Sequence, residues 1–74
     1  MKWLHPSFWV TYDKSTYPTV ADAQQAIERY CRENGHTCRF LDDDTVEIDG
    51  VPHEIYRGYE PGSRGNYGIK CRKL

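Results

Sequence analysis

One stretch of this chain has the period of an amphipathic helix, and every other apolar run is short and alternating. The fold is therefore expected to be a sheet with a single helix to cover it. Across 19–35, Val20, Ala23, Ile27, Tyr30 and Cys31 recur at three- and four-residue steps. Asp22, Gln24, Gln25, Glu28, Arg29, Arg32 and Glu33 fill the remaining positions. Pro18 biases Tyr17 to extended backbone and leads into the helix. Thr19 is placed to cap the first turn, with Asp22 three residues on in the capping-box position. Asn34-Gly35 is a stop, because glycine enters the left-handed region without steric cost.

The flanking segments read as strands. Residues 7–13 alternate, with Phe8, Val10 and Tyr12 on one side and Trp9 and Thr11 on the other. Residues 36–41 place Cys38 and Phe40 on one side and Thr37, Arg39 and Leu41 on the other. Asp42, Asp43 and Asp44 form a turn, which short acidic side chains favour by bonding nearby amides. Residues 45–49 follow, and Asp49-Gly50 between Ile48 and Val51 is a strong signal for a two-residue type I′ hairpin. That pairing puts Val46 opposite His53. Pro52, lacking an N–H, predicts an irregular or edge position for this arm. Residues 57–66, with Gly58, Gly62, Gly65 and Pro61, read as a loop, and 67–72 as a last strand.

The order is β-α-β-β-β. It implies one small α+β domain over 1–74, in two layers. A three- to four-stranded antiparallel or mixed sheet carries the helix on one face. A right-handed crossover is expected if the first two strands are parallel. The covered face gathers Phe8, Val10, Tyr12, Cys38, Phe40, Val46, Ile48, Val51, Ile55, Tyr67, Ile69 and Cys71. A chain of 74 residues buries only about 60% of its unfolded surface. An aromatic content of 14% raises the apolar area buried per ordered residue.

The formal charge is −1, unevenly placed. Between 42 and 54 there are six acids and no Lys or Arg, whereas from 55 onward five bases face one acid. Either this asymmetry steers a charged partner, or acidic and basic strands lie side by side and neutralise each other. No segment approaches the ~20 apolar residues of a membrane span. The start, Met1-Lys2-Trp3-Leu4-His5-Pro6, is too short and interrupted for a secretory signal. With three cysteines, an odd number, this points to a reducing cytoplasmic setting and free thiols.

Tyr17-Pro18-Thr19, Ala26-Ile27-Glu28 with Tyr30, Asp49-Gly50 with His53-Glu54-Ile55, and Tyr67-Gly68-Ile69-Lys70-Cys71-Arg72 together resemble a family of very small bacterial proteins. That family is catalogued as a domain of unknown function. The resemblance spans nearly the whole chain and departs at His53, where the family pattern has Tyr. It implies an α+β fold and an origin in Gram-positive bacteria, in some cases on mobile elements. It implies no activity.

Four chemistries are open to these residues. Cys31, His36, Cys38 and Cys71 are potential zinc ligands. Their spacing matches no recognised finger, however, and each cysteine sits at an apolar position, where a thiol acts as a small hydrophobe. Nucleophilic catalysis would pair a cysteine with His5, His36 or His53, but reactive thiols need exposed, electropositive settings. No phosphate loop, GxSxG elbow or HExxH occurs. His53, alone on an apolar face, reads as a hydrogen-bonded core or rim histidine. Arg57, Tyr59 and Arg64 are placed to grip an acidic partner from a loop.

The face opposite the helix is the strongest candidate. Alternation puts Trp9, Thr11, Arg39, Leu41, Glu47, Glu54, Tyr56, Lys70 and Arg72 there. The binding residues expected are Trp9, Arg39, Leu41, Tyr56, Lys70 and Arg72. Three roles fit: cross-strand pairs that stiffen the sheet, contact with a protein partner or second copy, or stacking of single-stranded nucleic acid. The expectation is a non-enzymatic protein-interaction or accessory module without cofactor, with single-stranded nucleic-acid binding as the alternative.

Overall fold

The computed structural model describes residues 6–62 and 66–74. The elements are β1 (Ser7–Val10), α1 (Val20–Glu33), β2 (Cys38–Asp42), β3 (Thr45–Ile48), β4 (Val51–Tyr59) and β5 (Tyr67–Lys73). They build an α+β fold with one helix and a five-stranded sheet in the order β1-β5-β4-β3-β2. Every neighbouring pair is antiparallel. The expected three to four strands are thus five, and the sheet is not mixed. β1 and β2 lie at opposite edges, so α1 carries the chain across the whole sheet rather than between neighbours.

The helix forms as its sequence dictates. Thr19 Oγ1 accepts from the Asp22 N–H and Asp22 Oδ2 accepts from the Thr19 N–H, both at 3.0 Å, a closed capping box. At the other end Gly35 takes φ +75 and the His36 N–H reaches back to the Cys31 carbonyl at 2.8 Å. That six-to-one bond is the Schellman stop. Ala23, Ala26, Ile27 and Cys31 are buried against the sheet. Each fully buried branched side chain such as Ile27 contributes roughly 1.5–3 kcal/mol.

Beneath them Val10, Val46, Ile48, Ile55, Ile69 and Cys71 form the core, with Phe8, Tyr12, Cys38 and Phe40 packed at its margin. His53 is also buried. Its Nδ1 donates to the Val51 carbonyl at 2.8 Å, which satisfies the ring nitrogen nearest the backbone.

The Asp49-Gly50 turn has φ +52 and +81, and Ile48 pairs with Val51 as a type I′ hairpin requires. Asp42 Oδ1 accepts from the Asp44 N–H at 2.8 Å, closing the acidic turn between β2 and β3. A bulge falls between Phe40 and Asp42, leaving Leu41 as the extra residue.

Two expectations fail for instructive reasons. β4 is the central strand, so Pro52 is not at an edge. The Leu74 N–H donates to the Pro52 carbonyl, which shows that Pro52 turns its backbone toward β5 at the point where β5 ends. Its missing N–H therefore costs the ladder with β3 nothing.

The expected loop over 57–66 is also wrong at its start, because Arg57, Gly58 and Tyr59 continue β4 opposite Ile69, Gly68 and Tyr67. Arg57 is on the helix side. Its guanidinium donates to the Pro18 carbonyl at 2.9 Å, and its own carbonyl accepts from the Tyr17 hydroxyl at 2.8 Å. It pins the helix lead-in to the sheet. His5 and Arg64 lie outside the described residues.

Candidate interaction surface

The helix-free face is organised in cross-strand rows. Trp9, Lys70 and Tyr56 are directly opposite one another on β1, β5 and β4. Trp9 and Tyr56 meet edge to face with centroids 6.0 Å apart, and the Lys70 ammonium lies 5.3 Å from the Trp9 ring and 5.5 Å from the Tyr56 ring. A cation between two rings is held electrostatically by both.

The next row explains how rings this large lie down on a sheet. Gly58 on β4 is paired with Gly68 on β5. A Cβ at Gly58 would stand 2.6 Å from the Tyr56 hydroxyl oxygen, and one at Gly68 would stand 2.9 Å from the Trp9 ring and 2.6 Å from Glu60 Oε1. The two glycines are a floor, and the rings cover backbone that would otherwise face water. The Tyr56 hydroxyl completes the arrangement by donating to the Tyr59 carbonyl at 3.1 Å.

The arginines expected to bind are engaged within the face. Arg39 donates to Glu47 Oε1 from Nη2 at 3.0 Å and from Nε at 3.3 Å. Arg72 donates to Glu54 Oε1 from Nη2 at 2.6 Å and from Nε at 3.2 Å. In the second pair a base of the C-terminal strand neutralises an acid of its neighbour, one of the two readings of the charge asymmetry.

The six residues do not form one patch. Trp9, Lys70 and Tyr56 cluster, with Arg72 two residues along β5. Arg39 and Leu41 sit on β2, two strand spacings or about 10 Å from β4. Leu41, Tyr56 and Tyr59 remain exposed. The contributions of Gly58, Gly68 and Glu60 were not anticipated. The one legible signal was the Tyr56-x-Gly58 spacing, which puts a ring and a bare backbone on the same face of a strand.

The cysteines belong to the other side. Burial pushes the Cys71 thiol up to about 12 and the Cys31 thiol up to about 11, the latter also raised by the neighbouring Cys38. Both are held protonated, the opposite of what a nucleophile needs. Among the described residues no group of three or more His, Cys, Asp or Glu is placed to hold a metal ion. No helix among them is long and apolar enough to cross a membrane. Comparison with family models, curated proteins and solved structures gives no match to this chain.

Proposed function

We propose that this chain is a non-catalytic protein-interaction module whose contact surface is the helix-free sheet face, centred on Trp9, Lys70 and Tyr56. The observation that carries this reading is the combination of a fixed aromatic cluster with charges already balanced on the face. Arg39 is paired with Glu47 and Arg72 with Glu54. Rings presented on a rigid floor lose little freedom on contact, which favours them as anchors of protein interfaces. The proposed non-catalytic role is supported by the two core thiols being held protonated.

Single-stranded nucleic acid is the less favoured occupant. A stacking base needs an open ring face, whereas Lys70 stands over both rings. Phosphate would also have to compete with Glu47 and Glu54 for the two arginines.

The test compares the chain with Tyr56→Ala and Leu41→Ser. Sedimentation measures self-association, and affinity capture from the source cells measures heterologous partners, each followed by reconstitution with the purified partner. The expected result is one saturable complex, weakened at least about tenfold by Tyr56→Ala and little changed between low and moderate salt. Full binding by both variants would overturn the assignment. So would a complex with an oligonucleotide that tightens steeply as salt falls.

A further inference from the structure

On the helix side, past the C-terminal end of α1, the fold leaves an open cavity of about 270 Å3. Its floor is Ile48 and Val51 at the closed end of the β3–β4 hairpin. Its walls are mostly rings. Phe8 of β1 stacks on Tyr30 of α1 at 4.8 Å, and His53 meets Phe8 edge-on at 6.0 Å. His36 stacks on Tyr30 at 6.1 Å.

The negative groups around this cavity are already engaged. Asp49 Oδ2 is bonded to His36 Nδ1 at 2.6 Å, and Asp49 Oδ1 accepts from the Thr37 N–H at 2.9 Å. The Tyr30 carbonyl at the helix end accepts from the Asn34 backbone at 3.1 Å and from its side chain at 2.8 Å. The positive group is not engaged: Lys73, at the end of β5, makes no ion pair among the described residues. His53 has committed Nδ1 to the Val51 carbonyl, and its Nε2 has no hydrogen-bond partner among the described residues.

We propose that this cavity binds a small one-ring aromatic carboxylic acid, its ring among Phe8, Tyr30 and His53 and its carboxylate at Lys73. The volume lies just under the roughly 300–1,000 Å3 of sites for drug-sized ligands, so it limits the occupant to a single substituted ring. A cationic ligand would meet Lys73 and find Asp49 satisfied. An inorganic anion would leave the aromatic walls unused.

The test is a titration of 15N-labelled protein, followed by NMR, with 4-hydroxybenzoate, with its uncharged methyl ester and with inorganic phosphate. The acid is expected to give saturable shifts at Tyr30, His36, Val51 and His53. The ester is expected to bind about fivefold more weakly, the loss of one partly exposed charge contact, and phosphate not to saturate. Lys73→Met, at an exposed strand end and so compatible with folding, is expected to weaken the acid by a similar factor and leave the ester unchanged. Trp9→Ala on the opposite face is expected to change neither. Equal binding of acid and ester would overturn the proposal. So would indifference to Lys73→Met, shifts centred on Trp9 and Tyr56, or no saturation by about 10 mM.

Discussion

Replacing Gly58 with alanine tests the glycine floor directly. The new Cβ would stand 2.6 Å from the Tyr56 hydroxyl oxygen and 2.9 Å from the ring carbon that bears it, so the ring must swing away. Three contacts go with it. The hydroxyl bond to the Tyr59 carbonyl contributes about 1 kcal/mol. The edge-to-face contact with Trp9 contributes about 0.5–1.5 kcal/mol, and the Lys70 contact about 0.5–1 kcal/mol. Against this, alanine in a strand recovers about 0.5–1 kcal/mol of backbone entropy relative to glycine. The net cost is about 1–3 kcal/mol, or a fall in Tm of about 4–24 °C for a domain of this size.

The sign of the effect depends on Tyr56. All three nearest neighbours of the new Cβ belong to that side chain. In a Tyr56→Ala background the same Gly58→Ala change should therefore stabilise, by about the entropy term alone. Urea unfolding followed by circular dichroism on the four proteins of this cycle measures both signs. An alanine that is neutral in the parent chain, or equally costly in both backgrounds, would refute the placement of the ring over Gly58.

Three further outcomes follow from the same geometry. Thr19→Ala removes the acceptor of the capping box and is expected to cost about 1 kcal/mol, read as a Tm lowered by about 4–8 °C; an unchanged melt would show that the box is not formed. The Thr19 N–H, then Lys14, hold the Asp22 carboxyl down at about 2, and the Thr37 N–H, then His36, lower that of Asp49. Both folded values lie below the ordinary 3.8, so their stabilisation is complete above that pH and is lost as pH falls through each folded value, which for Asp22 is about 2. Asp22→Asn should flatten this acid limb, and a parent profile flat over the same range would contradict it. Finally, a disulfide reagent at pH 8 should modify the half-buried Cys38 first, with Cys31 and Cys71 reacting only on unfolding; equal rates for all three would place the core thiols wrongly.

What the sequence made legible was local. The helix, its capping box and its Gly35 stop depend on residues within one or two turns of each other. The Asp49-Gly50 turn depends on two residues that both accept positive φ. What it hid depends on a neighbour distant in sequence. Pro52 argues for an edge strand only if its nitrogen faces a longer neighbour, and here β5 ends beside it. Alternation places Arg39 and Arg72 on one face with Glu47 and Glu54, but which acid meets which base is decided only once the strands are registered.

The glycines carry this point furthest. Gly58, with Gly62, Gly65 and Pro61 close behind it, has the composition of a loop, since glycine's local meaning is conformational freedom. In the sheet that freedom is not used: Gly58 and Gly68 are paired mid-strand residues, and neither is among the glycines with positive φ. What is used is the missing side chain, which gives the Trp9 and Tyr56 rings a place to lie. A glycine of this kind can be told from a loop glycine only by the ring above it. For Gly58 that ring is two residues away on the same strand, but for Gly68 it comes from β1, at the other end of the chain. The surface proposed for partner contact is therefore assembled by pairing of the first, fourth and fifth strands.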